Sequence, residues 1–218
     1  MSAQIRSVDE ELACFRLPMD AAGLCSALEA LTANCDAYDF VVGRGARKAR
    51  ECWIASRFLA AHNKQTGRRY EVTRLITEAP DLEYRDVAQP QTILSIEAAE
   101  LLSPGRRRHE EYLQKKQQRE AHEQSGQPYE LSFQDIPGET IESERRAFSG
   151  VASNALEEKL HKNYGLNCTL VLYVNLWLFG DEPIREFVAT YRLPATVRFR
   201  EIWFLYSGDT IIPLCPTS

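Results

Sequence analysis

EAPDLEYRDVAQPQTILSIEAAEL, residues Glu78 to Leu101, reads as two short strands joined by the polar turn AQPQ. An acid, Asp81, follows Pro80 at the mouth of the first strand. A second acid, Glu97, interrupts the apolar, β-branched run of the next. Successive side chains of a strand point to opposite faces, so Ile93, Ser95, Glu97 and Ala99 share one face and Leu94, Ile96 and Ala98 the other. If the two strands pair as a hairpin, the carboxylates of Asp81 and Glu97 approach each other. Nearby carboxylates repel unless a proton or a cation is shared. Oxygen ligands of this kind suit Mg²⁺ or Mn²⁺, which keep several waters and accept substrate phosphate as a further ligand.

Patterning on either side fills in an α/β order. Upstream, RKARECWIASRFLAAHNK (47–64) repeats Trp53, Ile54, Phe58 and Leu59 at helical spacing, and RRYEVTRLI (68–76) reads as a strand. Downstream, helical patterning spans 139–163, with Ile141, Phe148, Val151, Leu156 and Leu160. LNCTLVLYVNLWLF (166–179) is continuously apolar apart from Asn167, Thr169 and Asn175, as expected of a strand buried on both faces. DEPIREFVATYRL reads as a helix with Asp181 as its cap and Pro183 in its first turn, and FREIWFLYSGDTIIPL as two strands about Ser207-Gly208-Asp209. A mixed central sheet with helices on both sides accommodates this order. Residues 1–43 form an N-terminal helical extension, acidic and read as a cap or an oligomer contact, which leaves a homo-oligomer open. Residues 44–218 form the main domain, broken by a charged excursion at about 104–127.

The Pro80-Asp81 … Glu97-Ala98-Ala99 pattern, preceded by an amphipathic helix carrying Glu51, resembles the PD-(D/E)XK, or restriction-endonuclease-like, nuclease superfamily. The resemblance covers about residues 47–100, and the later elements agree with that superfamily's α-β-β-β-α-β core. It implies that Asp81 and Glu97 bind a metal ion, Mg²⁺ or Mn²⁺, and that Glu51 completes the acidic cluster. The metal would activate water against a phosphodiester. One position departs from the pattern. The superfamily's lysine is expected two residues after the second acid, on the same strand face, where this chain has Ala99. Lys115, Lys116, Arg106 and Arg107 on the following segment are the candidate substitutes, with Lys115 and Lys116 taken as catalytic. Glu71 is a rival acid, though no Pro-Asp precedes it.

The charge distribution bears on the partner. The net charge is -5, yet residues 44–74 hold nine Lys or Arg against two acids, leaving a locally basic segment in an acidic chain. Arg47, Lys48 and Arg50 are therefore expected to contact phosphates, with Arg106 and Arg107, and DNA or RNA is the expected partner. Six cysteines at 14, 25, 35, 52, 168 and 215 form no C-x-x-C pair, so zinc spacing is absent. The opening residues lack the apolar core of a signal peptide, and no run approaches the ~18 apolar residues of a membrane span. A cytoplasmic protein with reduced thiols and no membrane partner is expected. No G-x-S-x-G or phosphate-binding G-x-x-x-x-G-K-[ST] motif occurs. Two functions remain: a metal-dependent nuclease, or a nuclease-fold protein without catalysis that binds nucleic acid or protein.

Overall fold

The computed structural model describes residues 8–34, 46–76, 79–103, 105–106, single positions between 110 and 124, 138–176, 178 and 180–214. Its elements run α1 (Val8–Ala13), β1 (Met19–Asp20), α2 (Ala21–Asn34), α3 (Ala46–Thr66), β2 (Tyr70–Leu75), β3 (Leu82–Asp86), β4 (Ile93–Leu102), α4 (Gly138–Leu160), β5 (Cys168–Asn175), α5 (Glu182–Thr190), β6 (Glu201–Tyr206) and β7 (Thr210–Pro213). The strands form one seven-stranded sheet in the order β1-β2-β3-β4-β5-β6-β7. The first four pair antiparallel, β4-β5 and β5-β6 pair parallel, and β7 returns antiparallel. The sheet is therefore mixed, with helices supplying the crossovers that parallel pairing requires.

Each face of the sheet has its own core. Leu94, Ile96 and Ala98 of β4, with Val171 of β5 and Leu205 of β6, pack against Leu24, Leu28 and Leu31 of α2 and Cys52, Ala55, Phe58 and Leu59 of α3. Leu101 of β4, Leu170, Leu172 and Val174 of β5 and Phe204 of β6 pack against Phe148, Ala152 and Leu156 of α4 and Ile184 and Phe187 of α5. The continuous apolarity of β5 follows: successive residues feed two different cores, and all of Cys168–Leu172 is buried. The N-terminal segment does more than add helices, because β1 pairs Met19 with Val72 at the sheet edge.

Local chemistry fixes the joints. Gly67 ends α3 in the left-handed conformation, φ 71°, and its N–H returns to the Asn63 carbonyl at 2.9 Å. The β6-β7 hairpin turns on Ser207 (φ 51°) and Gly208 (φ 78°), two successive positive-φ residues whose twist matches that of the flanking strands. Asp181 stands at the start of α5 but makes no side-chain cap; its carboxylate is taken by Arg185 at 2.7 Å. Cys25, Cys52 and Cys168 are buried free thiols. Burial above all, with the charges of Asp81 and Glu51 adding to it against Lys48, pushes the Cys52 thiol up to about 12, which leaves it protonated and inert. Among the described residues, no helix is long and apolar enough to cross a membrane.

Candidate active site

The ladder between β3 and β4 ends at Leu82 opposite Ile96, whereas β4 continues to Leu102. Asp81 sits at that divergence. Its N–H donates to the Ile96 carbonyl at 2.8 Å, and its carboxylate Oδ2 accepts the Ala98 N–H at 2.7 Å. The side chain thus takes a backbone donor just past the end of the ladder. Its position directly across from the Glu97 segment is the hairpin geometry expected from the sequence.

The two acids meet different cations. Lys48 of α3 donates to the Asp81 carbonyl at 2.6 Å and lies 3.4 Å from Oδ1. Glu97 is on the face turned to α4, where its Oε1 accepts Lys159 Nζ at 2.5 Å and the Tyr164 hydroxyl at 3.1 Å. Asp81, Glu97 and Lys159 are all buried, and Oε2 of Glu97 has no hydrogen-bond partner. A buried carboxylate oxygen without a donor costs about 1–3 kcal/mol or more, so structures keep one only where something offsets it.

Electrostatics ties these groups together. The Asp81 carboxyl is pushed up to about 7, first by burial, then by the negative charges of Glu51 and Glu97. The Ala98 N–H and Lys48 pull the other way and lose. The lysine is close, but removing a carboxylate from water and facing it with two more acids outweighs one ammonium. Tyr164 is raised above the usual phenol range, by burial first and then by the Glu97 charge, and stays a hydrogen-bond donor. Glu51 accepts Arg47 Nε at 2.6 Å, and Arg47 is raised in consequence.

A cavity of about 250 Å³ lies beside this cluster, lined by Arg47, Arg50, Glu51, Ala99, Glu100 and Lys159 among others, with Asp81 and Glu97 themselves buried behind its wall. It brings Glu51, Arg47 and Arg50 together with Lys159, a lysine outside the segment where a substitute for Ala99 is expected. Lys48, expected at phosphates, instead holds Asp81. Arg106 donates to the Asn175 carbonyl at 3.3 Å, near the end of β5. Arg107, Lys115 and Lys116 lie outside the described residues. The rival acid Glu71 is accounted for by Arg85, its cross-strand partner, at 3.1 Å. Among the described residues, no group of three His, Cys, Asp or Glu side chains converges as a metal cage.

Lys159 carried a legible signal. On α4, Phe148, Ala152 and Leu156 are buried at intervals of four, and Lys159 stands three beyond Leu156 on the same stripe. A lysine on the apolar stripe of a helix needs a buried acid, and Glu97 supplies it. Compared with protein-family models, with the curated proteins and with solved structures, the chain matches none, so its functional reading rests on these residues.

Proposed function

We propose that this protein is a metal-dependent nuclease of the restriction-endonuclease-like class, hydrolysing phosphodiester bonds of DNA or RNA. The observation that carries the reading is the buried Glu97 carboxylate, with one oxygen held by Lys159 and Tyr164 and the other without a donor, beside Asp81 at the end of the adjacent strand. The succession of α3, the β2-β3-β4 meander, α4 and β5 is in keeping with that class's core.

The residues fit a hard divalent cation. Oε2 of Glu97 is a buried oxygen without a hydrogen-bond donor, and Asp81 offers a second carboxylate that a cation would relieve of repulsion. Mg²⁺ typically takes only one or two carboxylates, with water and substrate phosphate completing its shell. Glu51 is the third acid at hand. When bound, the ion supplies positive charge against the phosphate oxygens and makes water more acidic. Lys159 holds the Glu97 carboxylate in one orientation and places an ammonium at the cavity wall, the part that Ala99 cannot play. Arg47 and Arg50 at the cavity wall are suited to the phosphate backbone, so binding should weaken as salt rises. The buried free thiols are in keeping with a cytoplasmic setting.

The test is cleavage of plasmid DNA and of single-stranded RNA in Mg²⁺ or Mn²⁺ by wild type, Asp81→Ala, Glu97→Ala and Lys159→Met. Loss of cleavage in all three variants is expected. Equal cleavage by wild type and both acid variants removes the site. A second reading, a nuclease fold that binds without cutting, is favoured by the engagement of Asp81 with Lys48 and of Glu97 with Lys159. It predicts oligonucleotide binding with no cleavage in either metal.

A further inference from the structure

A second cavity, of about 270 Å³, lies at the carboxyl ends of the parallel strands β5 and β6, lined by Tyr173, Asn175, Leu176, Leu178, Tyr206 and Ser207 among others. Ligands of open α/β sheets gather at this end of the strands. We propose that this cavity receives one unpaired nucleobase of the bound strand, next to the phosphate held at the Asp81–Glu97 site; for its ligand the inference rests on the nuclease reading.

Three observations carry it. First, the cavities adjoin: Glu100 lines the first and Asn175 the second, and Asn175 Nδ2 donates to Glu100 Oε1 at 2.7 Å. Second, the lining matches the chemistry of a base. Tyr173 and Tyr206, which pack toward opposite faces of the sheet, line the cavity together with the apolar Leu176 and Leu178, and Asn175 and Ser207 are polar residues of the wall. Unpaired bases stack on such aromatic surfaces without regard to sequence. Third, the rings are fixed in advance. The Tyr206 hydroxyl accepts the Gly180 N–H at 3.0 Å, and Tyr173 meets the Trp53 ring edge-on, 5.4 Å between centroids. Neither has much freedom to lose when a flat ligand arrives. Arg106, anchored on the Asn175 carbonyl, stands at the same strand end with a charge suited to the neighbouring phosphate. A base of a duplex is stacked and paired, so the cavity selects single strands, or duplex sites from which a base has been extruded.

The experiment uses the full chain and a fluorescein-labelled twelve-nucleotide DNA strand in EDTA, so that cleavage plays no part. Anisotropy should give tighter binding of the strand than of its duplex. An abasic residue at one position should weaken binding on the order of tenfold. Tyr173→Leu and Tyr206→Leu should abolish that abasic penalty. In the wild type, a 5-iodouracil strand should photo-crosslink to Tyr173 or Tyr206, a readout that does not depend on a variant folding. Equal binding of intact and abasic strands at every position, crosslinks elsewhere only, or no binding of the strand at all overturns the proposal. An abasic penalty without Mg²⁺-dependent cleavage upholds the base cavity and defeats the nuclease reading. Cleavage without an abasic penalty does the reverse.

Discussion

Replacing Asp81 by Asn should stabilise the protein while abolishing the proposed cleavage, and the gain in stability should grow with pH. The amide oxygen can still accept the Ala98 N–H, and Lys48 keeps its 2.6 Å bond to the residue-81 carbonyl. What disappears is the buried negative charge. The carboxyl ionises at about 3.8 in the unfolded chain but at about 7 in the fold. Between those values the folded state holds a proton that the unfolded state has released, so stability falls as pH rises from about 3.8 to about 7. At about 1.4 kcal/mol per pH unit, ionised Asp81 costs the fold about 4 kcal/mol at alkaline pH. Urea unfolding of wild type and Asp81→Asn, at about pH 5 and about pH 8.5, isolates the contribution, because other titrating groups cancel in the difference. The stability advantage of the variant should widen by about 3 kcal/mol between the two conditions. A variant less stable than wild type at the higher pH, or an advantage independent of pH, refutes the reasoning. Such a cost is in keeping with the proposed role of Asp81, since activity and stability compete at functional positions.

Three further outcomes can be measured. Lys159→Met leaves Glu97 buried without its cation and should cost about 3–5 kcal/mol by urea unfolding, most of it recovered in the double variant with Glu97→Gln. Mn²⁺ should raise the melting temperature more at about pH 8 than at about pH 6, because Asp81 must lose its proton to bind; an equal rise at both would exclude Asp81 as a ligand. His62 packs among Phe58, Tyr70 and Trp203, and burial holds its pKa below the usual imidazole value. The unfolded chain therefore takes up the proton first, so the His62 contribution to stability declines as pH falls below about 6.5, and the stability of His62→Phe relative to wild type, measured by urea unfolding, should rise over that range.

Where the side chains alternate cleanly, the sheet was readable in advance. TILSIEAA places Ile96 and Glu97 on opposite faces, and the molecule sends Ile96 to one core and Glu97 toward α4. The strand character of β5 was equally plain, because burial on both sides leaves no polar register. β1 was not readable: two residues carry no periodicity, and Met19 pairs with Val72 across a long stretch of chain. The partners of the acids were legible only in part. Nothing local in SNALEEKLHKN distinguishes Lys159 from Lys162 except the helical phase, and that phase matters only once α4 is known to cross over Glu97. Lys48 shows the converse. It sits in a run of exposed-looking cations, and only the fold turns it inward to Asp81.

The parallel pairing of β4 with β5 has a consequence for synthesis. The meander β2-β3-β4 is complete once Leu102 has been made, but its next strand begins only at Cys168. At roughly 5–20 residues per second, the ribosome needs several seconds to supply it. Through that interval the inner edge of β4, with Leu94 and Ile96 beside it, lacks the neighbour it will have in the finished molecule. A nascent chain halted between those two points should therefore be the species most prone to adhere to its own copies, and the one most in need of a chaperone.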